Sequence, residues 1–314
     1  MNAGYKSVFF FFLIFSFMML ACTSKNQFKE KTTDGAVSEV DILPVIEVNN
    51  ILDNRYSFSV NDVVYEYIID FPAVVENSPL VIMVNGMNNT GESMRNDTGF
   101  HKAANSRGYT VVYVTAAKFQ KTGLGWNSGI SSEGNDDVLF FKSLAGYLEN
   151  EYLLDKKRTF AIGFSNGGFM MHRLAMEAED VFEACVAVAA KMPGRIWKNR
   201  NETNSIGFFQ VTGEKDNVIP KNYDNSAQYS IDPAIEDVME YWAESNGLNQ
   251  SLQTEIGDGS LLIKYMNEKG IFDTPKNIQV WHLGIKDGRH AWPAVQFTQI
   301  DINALILEFF ELWN

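Results

Sequence analysis

A chain of 314 residues that is 46% hydrophobic and 21% charged has the composition of a globular protein with one large core. Its formal charge of −13 and pI near 4.8 argue against nucleic acid and anionic membrane surfaces as partners, because both would repel it. Neutral substrates are easier to accommodate.

Residues 1–21 read as a signal peptide. Lys6 supplies a short basic region and Val8 through Ala21 is almost wholly apolar, a run shorter than the roughly 20 residues a membrane-spanning helix needs. The run ends in Met19-Leu20-Ala21-Cys22, which resembles a bacterial lipobox, with Met19 where leucine is usual. Cleavage before Cys22 would leave a lipid-modified N-terminus, so the expected location is the cell envelope or cell surface, with membrane contact through the lipid on Cys22. Residues 22–40 are polar and aperiodic and read as a flexible tether, with one catalytic domain at 41–314. Once Cys22 is used only Cys185 remains, so no internal disulfide is available, and Cys185 reads as a small buried hydrophobe.

From Tyr56 to Ile69 the pattern is strand, Asn61-Asp62, strand, a hairpin at a sheet edge. Leu80–Val84 reads as a buried strand running into the polar loop Asn85-Gly86-Met87-Asn88-Asn89, followed by a helix ending at Arg107-Gly108. Thr110–Val114 is a further short strand. Lys118 to Gly134 is rich in Gly, Ser and Asn, carries Trp126-Asn127, and reads as a long surface loop; Asn135-Asp136-Asp137 then opens a helix to about Tyr152. Strands follow at Thr159–Phe164, around Cys185, at Ile206–Val211 and at Ile278–Leu283, with helices after Ser165, at Ile235–Trp242 and at Ile302–Trp313. Strands separated by helices predict an α/β fold, a mainly parallel sheet covered on both faces.

The chemistry centres on Gly163-Phe164-Ser165-Asn166-Gly167-Gly168, between a predicted strand and a predicted helix. A G-x-S-x-G pattern in that context lifts the serine onto a strained corner, where flanking side chains would collide with strand and helix. A plain connecting turn is the alternative. A serine hydroxyl needs an imidazole to take its proton, and the imidazole needs a carboxylate to fix its tautomer. Of the four histidines, His101 and His172 fall in helices and His282 within a strand; His290 alone lies in a loop after the last strand, between Gly288 and Pro293. For the acid, Asp216 sits in the loop beyond the Val211 strand, with Glu214, Asp224 and Asp232 as competitors. The amides of Met87 and Asn166 are the expected oxyanion donors, and Trp126 and Trp292 the expected aromatic walls of an acyl pocket, packing for stability being the equal alternative.

Asn85-Gly86-Met87, the Ser-Asn-Gly-Gly elbow, Thr212 to Pro220 and Gly288-Arg289-His290-Ala291-Trp292-Pro293 together resemble the polyhydroxybutyrate depolymerase and feruloyl esterase family of secreted α/β-hydrolases. Trp126-Asn127 and Asp136-Asp137-Val138 also fit. The resemblance spans about residues 55–312 and implies an α/β-hydrolase fold and a serine esterase working through an acyl-enzyme, with no metal or organic cofactor. Asn85 stands where that family usually has histidine; asparagine can still hydrogen-bond the loop, so the departure bears on its shape and on substrate preference. The expected substrate is a feruloyl or acetyl ester on plant cell-wall oligo- or polysaccharide. A solid polyester usually demands an exposed adsorption surface or an added binding domain, and a short tether plus one catalytic domain leaves no room for the latter. Loop aromatics Tyr223 and Tyr229, with the two tryptophans, are available to border the cleft. A serine peptidase and a non-catalytic glycan-binding lipoprotein are the rival readings.

Overall fold

Burial along the central strands explains why they form a sheet covered on two sides. Leu80, Ile82 and Val84 pack into one apolar cluster while Val81 and Met83 pack into another, and Cys185 and Ala187 alternate in the same way with Ala184 and Val186. The period of two sends neighbouring residues to opposite faces, and the absence of polar alternation means that both faces are dry. The computed structural model describes residues 44–118, 123–201, 205–221, 232–267 and 278–313. The expected signal peptide and tether, with Cys22, and Tyr223, Asp224 and Tyr229 lie outside the described residues.

In chain order the first strands are β1 (Ile46–Leu52), β2 (Arg55–Val60), β3 (Val63–Asp70) and β4 (Leu80–Val84), then helices α1 (Gly91–Thr98) and α2 (Phe100–Ser106). There follow β5 (Thr110–Thr115), α3 (Asp137–Glu151), β6 (Thr159–Phe164), α4 (Asn166–Glu177), β7 (Ala184–Val188) and α5 (Gly194–Lys198). The last part holds β8 (Gly207–Gly213), α6 (Ile235–Ser245), β9 (Gln250–Ile256), β10 (Ser260–Met266), β11 (Val280–Ile285), α7 (Val295–Thr298), α8 (Ile302–Phe310) and a 3-10 turn, Glu311–Trp313. They build one 11-stranded sheet in the order β1-β2-β3-β5-β4-β6-β7-β8-β11-β10-β9. The stretch β5-β4-β6-β7-β8-β11 is parallel throughout, and antiparallel strands extend it at both edges. Helices α3, α4 and α6 cover one face and α1, α2 and α8 the other.

Three local features depart from the sequence reading. The helix expected to end at Arg107-Gly108 is broken in two, because Gly99 adopts a left-handed conformation (φ 57°) that caps α1 and starts α2. β1 continues the predicted hairpin as a third strand. The β9–β10 hairpin at the other edge carried no recognisable signal, since β9 is exposed along nearly its whole length and its polar side chains lack the alternation of a half-buried strand. Cys185 is fully buried, as its position in a central strand requires.

Candidate active site

Parallel strands end on the same side of the sheet, and that end gathers the site. β6 ends at Phe164, one residue before Ser165; β8 ends at Gly213, three before Asp216; β11 ends at Ile285, five before His290. Ser165 has φ 52° and ψ −118°, a strained backbone for a residue with a side chain, and it is the residue from which α4 starts. The glycines around it leave no alternative. A Cβ on Gly163 would lie 2.1 Å from the carbonyl oxygen of Gly167, and one on Gly167 2.3 Å from that of Val84, so strand and helix meet only where side chains are absent. The turn is tied down by the Ser165 amide donating to the Val188 carbonyl at 3.0 Å.

The acid and histidine loops are laced together by their backbones. Glu214 N–H donates to Ile285 O at 2.9 Å and Lys215 N–H to Gly288 O at 2.8 Å. This brings Asp216 beneath the imidazole. Its Oδ1 accepts the amides of Val218 and Ile219, both at 2.8 Å, and its Oδ2 lies 2.8 Å from His290 Nδ1. A carboxylate only accepts, so Nδ1 carries the proton, and Nε2 is left to accept the Ser165 hydroxyl proton at 2.9 Å. The Asp216 side chain is 1% exposed and that of His290 17%. The two competing acids among the described residues are occupied elsewhere: Glu214 is exposed and pairs with Lys221, and Asp232 accepts the amide of Gly194. Neither of the buried histidines serves as a base. His172 stacks on Phe208 and burial pushes its pKa down to about 3; His282 bonds to Thr212 Oγ1 and is pushed down to about 4. His101 sits on the Tyr113 hydroxyl.

Asn166 supplies the first amide of α4, which has no intrahelical acceptor and stands at the positive end of the helix dipole. Met87 follows β4 on a loop closed by Asn85, whose buried side chain donates to Gly86 O at 2.8 Å and Asn89 O at 2.7 Å and accepts from Ala116 N–H at 3.3 Å. Asparagine thus satisfies this loop with one donor group and one acceptor. Among the described residues the Met87 amide has no acceptor.

The two tryptophans separate. Trp126 is 1% exposed, with its ring stacked against Tyr65 and Phe140, so it forms no aromatic wall of an open pocket. The reading of Trp126 as a substrate contact is therefore corrected: an apolar ring in a Gly-rich loop found a drier place in the core than over the cleft. Trp292, two residues after His290, is half-buried and lines a cavity of about 620 Å³ together with Val188, Ala189, Val211, Ile285 and Phe297. Lys215, Asp258, Asp287 and Arg289 add charge to its lining. The indole nitrogen of Trp292 is buried without an acceptor among the described residues. No group of His, Cys, Asp and Glu among the described residues has the arrangement of a metal site.

Residues 99–236, which hold Ser165 and Asp216, match the model of the prolyl oligopeptidase family. NocK of Nocardia uniformis subsp. tsuyamanensis, provisionally named an esterase, is 24% identical over 72% of this chain and 69% of its own length. A bifunctional acetylxylan esterase/xylanase of Neocallimastix patriciarum is 26% identical over 46% of this chain, which spans only 20% of that protein. Among solved structures, the acetyl xylan esterase from Aspergillus awamori superposes with a TM-score of 0.53 at 12% identity, covering 79% of this chain and 94% of the other. The chain has an α/β-hydrolase fold.

Proposed function

We propose that this protein is a serine carboxylic ester hydrolase acting on feruloyl or acetyl esters of plant cell-wall polysaccharide. The observation that carries the reading is the unbroken relay from Ser165 Oγ through His290 to Asp216, with contacts of 2.9 Å and 2.8 Å, at a strained strand-to-helix corner. In the proposed reaction Ser165 attacks the ester carbonyl while His290 Nε2 takes its proton. Asp216 holds the imidazole in the required tautomer, and the amides of Met87 and Asn166 receive the oxyanion. Collapse of the tetrahedral intermediate expels the alcohol, protonated by His290, and leaves the acyl group on Ser165. Water, activated by the same imidazole, then releases the acid.

The name of the acetylxylan esterase relative supports esters on polysaccharide, and Trp292, with a cavity that reaches Arg289 and Ala291 on either side of His290 but is lined by neither Ser165 nor His290, supports an aromatic or otherwise apolar acyl group. The net charge of −13 favours neutral glycans over polyuronides. The match to a family named for peptidases supports a second reading, cleavage of a peptide bond by the same serine. One panel tests both: kcat/KM for methyl ferulate, acetylated xylan, a 3-hydroxybutyrate oligomer and a chromogenic peptide amide. Preference for the first two is expected. Preference for the oligomer would replace the substrate class and keep the chemistry, and preference for the amide would make the protein a peptidase. The proposal extends to lipid on Cys22 and an envelope location, supported by the apolar run ending in Met19-Leu20-Ala21-Cys22. Radiolabelled palmitate should enter the wild-type chain and not the Cys22→Ala variant; failure to label the wild type would remove the anchor.

A further inference from the structure

An oxyanion hole built from two backbone amides on different loops works only if the loops are held at a fixed separation, since each donor must meet the same oxygen. Met87 lies three residues beyond Val84 of β4 and Asn166 three beyond Gly163 of β6; the two strands are paired directly as far as Val84–Gly163, and beyond that point no hydrogen bond among the described residues joins the loop 85–90 to the elbow at 165–168. The short segment 124–126, from the long loop after β5, is bonded to both.

Its contacts on the Met87 side fall before and after the donor. The indole Nε1–H of Trp126 donates to Asn85 O at 2.9 Å. Asn88 N–H donates to Leu124 O at 2.8 Å, and Leu124 N–H returns a bond to Asn88 Oδ1 at 3.1 Å. Asn88 has φ 58°, a conformation that asparagine tolerates better than most residues, and this turns its side chain and amide to the same neighbour. On the elbow side the Asn166 carboxamide grips the Trp126 backbone with both ends: Trp126 N–H donates to Oδ1 at 2.7 Å, and Nδ2 donates to Trp126 O at 3.3 Å. A carboxamide presents one donor and one acceptor, the same pair as a peptide unit, so it pairs with a backbone as a strand neighbour would. The segment itself is anchored in the core. The Trp126 ring packs against Tyr65, Phe140 and Phe141, and the next amide, Asn127 N–H, donates to the buried carboxylate of Asp137 at 2.6 Å.

We infer that segment 124–126 is a brace that sets the distance between the two oxyanion donors, with Trp126, Asn88 and the Asn166 side chain as positioning residues. The inference rests on the esterase reading above. It gives the buried tryptophan a part in turnover without contact with substrate, and it explains why an asparagine follows the nucleophile.

The test compares the wild-type protein with Trp126→Phe, which keeps a ring and deletes the Nε1–H bond, and with Asn88→Gly, an exposed position where glycine accepts the positive φ. Steady-state kinetics use p-nitrophenyl acetate, and a phenylboronic acid serves as a tetrahedral mimic. A wild-type protein with no activity on this ester, or a Ser165→Ala variant that keeps it, would reject the esterase reading itself. With that activity in place, each variant is expected to lose about 10- to 100-fold in kcat with KM within about threefold, because a small misplacement of a donor weakens only the transition state. Affinity for the boronic acid should fall by a similar factor while the melting temperature of Asn88→Gly stays near that of the wild type. A folded variant with kcat within threefold of wild type, or with a raised KM alone, would overturn the brace. So would a kcat loss that leaves boronic acid affinity unchanged, since the fault would then lie with His290. Should Trp126→Phe fail to fold, Asn88→Gly decides by the same criteria.

Discussion

Trp126 and Trp292 stand in loops after β5 and β11, strands that lie on opposite sides of β6 in the sheet, and the two regions treat the same side chain differently. Around Trp126 every polar atom is used internally: the indole nitrogen, the backbone amide and the backbone carbonyl all have partners, and the ring is stacked in the core. Around Trp292 the packing stops short, leaving a cavity of about 620 Å³ and an indole nitrogen without an acceptor among the described residues. A region whose hydrogen bonds are satisfied can only shape a site, whereas one with open space beside it can receive a ligand.

The sharpest break of that contrast lies at the residues between the two regions. Ser165→Ala should abolish ester turnover, a loss of at least ~10⁴-fold, with the fold intact, and Asp216→Asn should cost about 10⁴-fold by releasing the imidazole tautomer. Stopped-flow assays with circular dichroism as the folding control check both, and activity persisting in Ser165→Ala would remove the covalent mechanism.

Next in size is stability. Trp126→Ala empties a packed site and should cost about 3–5 kcal/mol, while Trp292→Ala, already beside a cavity, should cost about 1 kcal/mol or less. Urea denaturation of the two variants measures the difference, and equal losses would erase the distinction between the regions.

A pH effect marks the Trp126 side. Asp137 is fully buried, accepts from the Tyr65 hydroxyl and the Asn127 amide at 2.6 Å each, and burial pushes its carboxyl from 3.8 up to about 6. Its native pKa exceeds the unfolded one, so the native state binds more protons between the two values. Its contribution to stability is therefore fully present below about pH 4 and lost as pH rises through about 6. The swing corresponds to roughly 3 kcal/mol for the 3.8-to-6 shift, and Asp137→Asn should lack it. Denaturation of both proteins at pH 4 and pH 7 gives the comparison; parallel pH curves would show that Asp137 does not titrate in this window.

The smallest effect is on selectivity. Trp292→Ala should change the ratio of kcat/KM for methyl ferulate to that for p-nitrophenyl acetate by about 10-fold, equivalent to about 1.4 kcal/mol, with little change in the acetate rate itself. A ratio that does not move would detach the cavity from substrate.

Much of the fold was legible because its signals are local. The alternation of Leu80–Val84 and of the Cys185 strand, the acidic first turn at Asp137 and the small residues around Ser165 each report conditions met within a few residues. β9 was not legible: as an edge strand exposed at every residue but Ile256 it has no buried face to impose a pattern, and it is held by its pairing with β10. The helix break at Gly99 hides in an ordinary sequence because a single left-handed residue redirects the chain without changing composition. Of the candidate site, Ser165, Asp216 and His290 could be picked out by strand order and by elimination, yet nothing in their spacing of 74 and 125 residues states that they touch.

What the sequence determined by itself were the properties that neighbours along the chain enforce: strands buried on both faces, a serine at a corner only glycines permit, and an acidic surface. Tertiary structure alone decided which polar groups would be spent and which left free. Trp126 and Trp292 occupy similar loops, and their difference arises because Asn85 and Asn166, 41 and 40 residues from Trp126, converge on it and consume its donors. Hydrogen-bond satisfaction is a property of where strands end in space, and no local pattern encodes it.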